Sequence, residues 1–62
     1  MNPAVISAAL STARDTHAEL VTIARNTTGP AAEQAWRNAG TAHRIASNLC
    51  VLLATASLER ES

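Results

Sequence analysis

The sequence predicts an all-α protein: an antiparallel two-helix hairpin, with helices at about 3–27 and 30–59, completed to a four-helix bundle by homodimerisation. Apolar and small residues recur at three- and four-residue spacing in both halves of the chain, which is the pattern of amphipathic helices. Turn-forming residues at positions 26–30 separate the two periodic segments. The side chains are small, so one hairpin has little core of its own. Residues 1–62 are therefore expected to form a single helical-hairpin domain that needs a partner.

The first helix has clear signals at its start. Asn2 is a suitable N-cap, and Pro3 fits the first helical position, where its missing N–H has no partner to lose. Val5, Val21 and Ile23 are expected to widen the inward stripe of this helix. The stripe itself is predicted to contain Ile6, Ala9, Leu10, Ala13, His17, Leu20 and Ala24.

The turn and the second helix follow the same logic. Gly29 is expected to adopt the left-handed backbone that ends the first helix, and Pro30 to begin the second, with Thr28 or Gly29 as its cap. Small residues repeat in heptads and favour a close antiparallel approach. The predicted inward residues are Ala32, Ala35, Ala39, Ala42, Ala46, Leu49, Leu53 and Ala56. Residues 60–62 are expected to fray.

Side-chain volume is the reason to expect a partner. Hydrophobic residues make up 47% of the chain, but 14 of them are alanine, and neither Phe nor Tyr occurs. Cys50 is the single cysteine, so an intrachain disulfide is excluded. We therefore expect a homo-oligomer, most simply a dimer, or docking on a larger protein.

Several large apolar residues lie off the alanine seam and are predicted to contact that partner. Trp36 is the expected energetic anchor, because tryptophan is enriched among the residues that dominate interfaces. The alternative is that a wide face of the second helix contacts the first helix more broadly. The predicted contact residues are Trp36, Leu49, Val51, Leu52, Leu53 and Leu58.

Catalytic and cofactor sites are not expected. His17 and His43 are predicted to approach each other across the hairpin, with Gly40 making room for the His17 ring. The favoured interpretation is a polar pair that sets the register of the helices. The alternative is a metal site, which would require three or four ligands. Cys50 is interpreted as a small buried hydrophobe with no basic neighbour. A helical hairpin is also expected to lack a ligand-sized pocket.

Charge and length argue against two other roles. Five basic residues balance five acidic residues, so no strong attraction to nucleic acid or to an anionic membrane is expected. The most apolar run, 45–58, is shorter than the roughly 20 residues that cross a bilayer. No signal peptide is recognised at the start of the sequence, and a cytoplasmic location is expected.

The sequence thus predicts a non-catalytic protein–protein interaction module: a small assembly, adaptor or regulatory protein acting through a helical face. The alternative function is a nucleic-acid-binding hairpin dimer, in which pairs of arginines on each helix form a basic strip. Its candidate residues are Arg14, Arg25, Arg37 and Arg44. Interleaved acidic residues weigh against this alternative, because arginines at such spacing commonly form ion pairs on the helix surface.

Overall fold

The structure, a computed structural model, describes the backbone of residues 2–61 and the side chains of residues 2–59. Two helices, α1 (Pro3–Arg25) and α2 (Pro30–Glu61), pack against each other as an antiparallel hairpin. This confirms the predicted all-α hairpin. Helix α1 ends two residues earlier than predicted, while α2 continues through Glu61, two residues beyond its predicted end. Of the three residues expected to fray, Ser62 lies outside the described residues.

The two ends of α1 are closed by asparagine side chains. The Asn2 Oδ1 atom accepts a hydrogen bond from the Ala4 N–H at 2.9 Å, which confirms the predicted N-cap. At the other end, the Asn26 backbone N–H donates to the Thr22 carbonyl at 3.1 Å, and the Asn26 amide nitrogen donates to the same oxygen at 2.8 Å. These two hydrogen bonds to one carbonyl oxygen close the helix, whose last residue is Arg25.

Gly29 has the predicted left-handed backbone, but it caps the start of α2 and does not end α1. Its φ angle is +73°, and its carbonyl accepts a hydrogen bond from the Glu33 N–H at 3.2 Å. The carbonyl of an N-cap residue accepts the first bond inside the helix, so Gly29 caps the start of α2. The expectation that it ends α1 is wrong, because Asn26 already performs that function three residues earlier.

The core is a single seam between the helices. Its buried members are Ile6, Leu10, Ala13, Ala24, Ala35, Ala39 and Ala42. All eight predicted inward positions of α2 are buried or half-buried. Three predictions for α1 are wrong, because Val5, Ala9 and Ile23 are exposed. Each directly precedes a buried residue, and consecutive helical residues are about 100° apart around the axis, which turns these three away from the seam.

The molecule is a rod rather than a globule. Its extents are 51 × 14 × 13 Å, and its radius of gyration is 14.5 Å, against about 11 Å for a compact chain of this length. The accessible surface is 4543 Å², whereas a compact monomer of 6.5 kDa exposes about 3,800 Å². The hairpin therefore exposes roughly 700 Å² more surface than a compact monomer of the same mass.

Candidate functional site

Of the concave surfaces on the described part of the hairpin, two lie on opposite sides of the seam. We call the first the polar cleft; it has a volume of about 250 Å³ and is lined by Arg14, His17, His43, Ala46, Ser47 and Cys50. We call the second the apolar groove; it has a volume of about 490 Å³ and is lined by Ala9, Thr12, Ala13, Thr16, Ala42, Ile45 and Leu49. The expectation of no pocket is therefore too simple, although both surfaces are open to solvent.

Helical spacing assembles the polar cleft. On α1, Arg14 and His17 are three residues apart; on α2, His43, Ser47 and Cys50 follow at intervals of four and three. Residues at these intervals lie on one side of a helix. The antiparallel packing then brings the two groups of side chains together.

The two histidines meet as predicted. Their ring centroids are 5.7 Å apart, with the planes inclined at 49°; His17 is half-buried and His43 is exposed. The predicted role of Gly40 in making room for the His17 ring is wrong. A Cβ atom added at Gly40 would meet nothing within 4 Å, because this residue points into solvent.

Cys50 differs from its predicted environment in two respects. Its thiol is free and exposed rather than buried. A basic residue does lie beside it, since the Arg14 Nη2 atom is 3.9 Å from the Cys50 Sγ atom. Cys50 directly follows the half-buried Leu49, and the helical rotation of about 100° moves it from the seam into the polar cleft.

Metal binding has no complete ligand set in the part of the chain that the structure describes. Within those residues no three His, Cys, Asp or Glu side chains are grouped so that they could hold an ion. A protein zinc site needs three or four such ligands.

The apolar groove contains no charged side chain. Of the two threonine hydroxyl groups in its lining, that of Thr12 donates to the Ala8 carbonyl of the same helix at 3.1 Å, so it is satisfied without a ligand. Ile45, which lines the groove, has 48% of its surface exposed. The groove is thus an uncharged, mostly aliphatic surface open to water.

The predicted contact residues are divided among four places. Leu49 and Leu53 are half-buried in the seam, and Leu49 also lines the apolar groove. Leu52, 49% exposed, lies seven residues after Ile45 and so extends the groove along α2. The other three are exposed elsewhere: Trp36 on the side of the polar cleft, seven residues before His43, and Val51 and Leu58 on the outward face of α2.

Sequence reasoning did not place three apolar residues on the groove side: Val5 and Ile23 were expected to face inward, and Ile45 was not among the predicted contact residues. Ile45, Val5 and Ile23 are all about half exposed or more. A signal was present for each. Val5 lies seven residues before Thr12, Ile23 seven after Thr16, and Ile45 seven before Leu52, so each shares a heptad position with a residue on the groove side.

The four arginines do not converge within one hairpin. Arg14 and Arg25 share one side of α1, next to the polar cleft. Arg37 and Arg44 lie about 180° around α2 from the seam, on its outward face. Glu33 and Arg37, four residues apart on α2, form no ion pair among the described side chains. The neighbouring Gln34 and Asn38 share a hydrogen bond of 3.0 Å at the same spacing.

Comparison with known proteins adds no further constraint. No protein family, curated protein or solved structure matches this chain. Over the described residues, neither α1 nor α2 combines the length and the apolar character needed to cross a membrane.

Proposed function

We propose that this protein is a non-catalytic assembly module and that a second copy of the same chain covers its apolar groove, completing a homodimeric four-helix bundle. The observation that supports this proposal is the imbalance of large apolar side chains. Two of them, Ile6 and Leu10, are buried in the hairpin. Seven are about half exposed or more: Val5, Ile23, Ile45 and Leu52 on the groove side, and Trp36, Val51 and Leu58 elsewhere.

The exposed area matches what a dimer would bury. The hairpin exposes roughly 700 Å² more than a compact chain of its mass. A stable interface of ordinary size buries about 800 Å² on each partner. One such interface would therefore bring each copy close to the surface area of a compact protein.

The groove also suits a second copy in its chemistry. Because no charged side chain lines it, two grooves related by a twofold axis would bring no like charges together. On the groove side, α1 carries two heptad rows of mostly small and β-branched residues. Ala9, Thr16 and Ile23 form the row beside the seam; Val5 and Thr12, followed by Glu19, form the row farther out. Short side chains let helices approach closely, as four-helix packing requires.

The test compares glutamate at two exposed apolar positions of α2. We expect Ile45→Glu to raise the dimer dissociation constant at least 100-fold, about 2.8 kcal/mol, because each dimer would bury two unpaired carboxylates. Val51→Glu is the matched control: Val51 is β-branched and 66% exposed, but lies on the outward face. Its dissociation constant should change less than threefold. Sedimentation equilibrium measures both.

Other results would place the contact elsewhere. A wild-type chain that stays monomeric at 1 mM would contradict homodimerisation and point to a larger protein partner. Dissociation by Trp36→Ala, with Ile45→Glu still dimeric, would move the interface to the side of the polar cleft. Leu52→Asp should behave like Ile45→Glu, since Leu52 extends the same groove.

A further inference from the structure

Every polar side chain that lines the polar cleft can donate a hydrogen bond, and none is a carboxylate. Arg14 offers a planar fork of donors, His17 and His43 offer ring N–H groups, and Ser47 and Cys50 offer a hydroxyl and a thiol. The chain as a whole has zero net charge, with acidic residues interleaved among the arginines along the sequence. The polar cleft therefore differs from the rest of the surface, because it gathers hydrogen-bond donors and contains no acidic side chain.

Most of these donors have no protein acceptor. Among the described residues, the side chains of His17, His43 and Ser47 form no hydrogen bond, and the two imidazoles contact each other only through their rings. Arg14 has the weak sulfur acceptor of Cys50 at 3.9 Å and no ion-pair partner among the described side chains. The donors are therefore available to a ligand that supplies several acceptor atoms.

The charge in the cleft decides which kind of ligand fits. Two imidazoles and a thiol are metal ligands in other settings, but the guanidinium of Arg14 lies next to the Cys50 sulfur and repels a cation there. An anion gains from the same charge, and Arg pairs with oxyanions through two parallel hydrogen bonds. A volume of about 250 Å³ is below the range of pockets for drug-sized molecules, roughly 300–1,000 Å³.

We propose that the polar cleft binds a small tetrahedral oxyanion, with a phosphate group as the fitting chemical class. Arg14 supplies the paired donors from α1. The ring N–H groups of His17 and His43 and the hydroxyl of Ser47 supply single donors from the two helices. Because the cleft is open, binding is weak, with a dissociation constant on the order of 1 mM.

Such a ligand would join the two helices. Arg14 and His17 belong to α1, whereas His43 and Ser47 belong to α2, so one bound phosphate contacts both halves of the hairpin. A ligand that binds the folded state alone raises the melting temperature. The site lies opposite the apolar groove, so its occupancy does not depend on dimerisation.

Inorganic phosphate is the probe for the test. The ring C–H signals of His17 and His43 are followed by NMR during a titration to 50 mM phosphate, at constant pH and with ionic strength balanced by chloride. We expect saturable shifts of both rings. Arg14→Gln should weaken binding at least tenfold. Arg25→Gln, on the same side of α1 but outside the cleft, should change it less than twofold.

Three results would overturn the proposal. Shifts that rise linearly without saturation would show that there is no site. If Arg14→Gln and Arg25→Gln weaken phosphate binding equally, the binding reflects nonspecific attraction to positive charge and not a site in the polar cleft. Acetate binding as tightly as phosphate would contradict a tetrahedral ligand. Far-UV circular dichroism of both variants verifies their folding, and sedimentation of the same samples shows whether the dimer persists independently of the phosphate result.

Discussion

At the scale of single residues, the two glycines illustrate how backbone and environment set the role of one residue type. Gly29 has a left-handed backbone, whereas Gly40 lies inside α2 with ordinary helical geometry and open space around it. A side chain at a left-handed position costs about 1–2 kcal/mol. A glycine inside a helix costs about 1 kcal/mol relative to alanine. The two positions therefore respond in opposite directions to one substitution.

Gly40→Ala is expected to stabilise the protein by about 1 kcal/mol, which raises the melting temperature of so small a domain by about 4–8 °C. Gly29→Ala is the matched variant and should destabilise it by about 1–2 kcal/mol. Thermal unfolding followed by circular dichroism measures both. A Gly40→Ala protein that melts lower than wild type would mean that a partner packs closely against this position.

Of the residues in the polar cleft, some were placed correctly from the sequence and others were not. The approach of His17 to His43 followed from hairpin register alone. The exposure of Cys50 beside Arg14 did not, because a residue one step from the seam turns to one side or the other according to how each helix rotates about its axis. That rotation depends on packing of the whole interface.

At the scale of elements, the seam depends on alanine. Ala35, Ala39 and Ala42 are 3–6% exposed, and they are small enough for α1 to lie close to α2. Their sequence spacing predicted this contact, because residues that recur every three or four positions form one face of a helix, and that face is the one that packs against a neighbour.

Ala39→Leu is expected to push the helices apart and to destabilise the hairpin by about 1–3 kcal/mol. Ala8→Leu, on the outward face of α1 where the residue is exposed, is the control and should change stability by less than about 0.5 kcal/mol. Urea denaturation gives both values. Equal stability of the two variants would show that the seam has room for a larger side chain and that close packing is not its basis.

At the scale of the whole molecule, size and shape limit stability. A rod with extents of 51 × 14 × 13 Å has one seam and leaves the outer half of each helix in water. Fully burying one Ile or Leu contributes about 1.5–3 kcal/mol, and the hairpin fully buries Ile6 and nearly fully buries Leu10. Association is the remaining source of burial, which is the basis of the proposed dimer.

This reasoning predicts a melting temperature that depends on concentration. For a dimer, a hundredfold rise in concentration, from 1 to 100 µM, adds about 2.7 kcal/mol. With an unfolding entropy of about 2.1 cal/mol/K for each residue of two chains, the midpoint should rise by about 10 °C. Light scattering at the same concentrations gives the mass. A cooperative transition at an unchanged temperature, with the mass of one chain throughout, would contradict the proposed assembly.

The sequence by itself determined the two helices, the cap at Asn2, the left-handed Gly29 and the alanine seam, because these follow from local backbone preferences and from helical spacing. The tertiary structure alone decided which flank of the seam each remaining side chain occupies. It separated the donors of the polar cleft from the aliphatic lining of the apolar groove. The physical reason is rotation: neighbouring residues differ by about 100° around a helix, and the angle at which two helices settle is a property of their mutual packing.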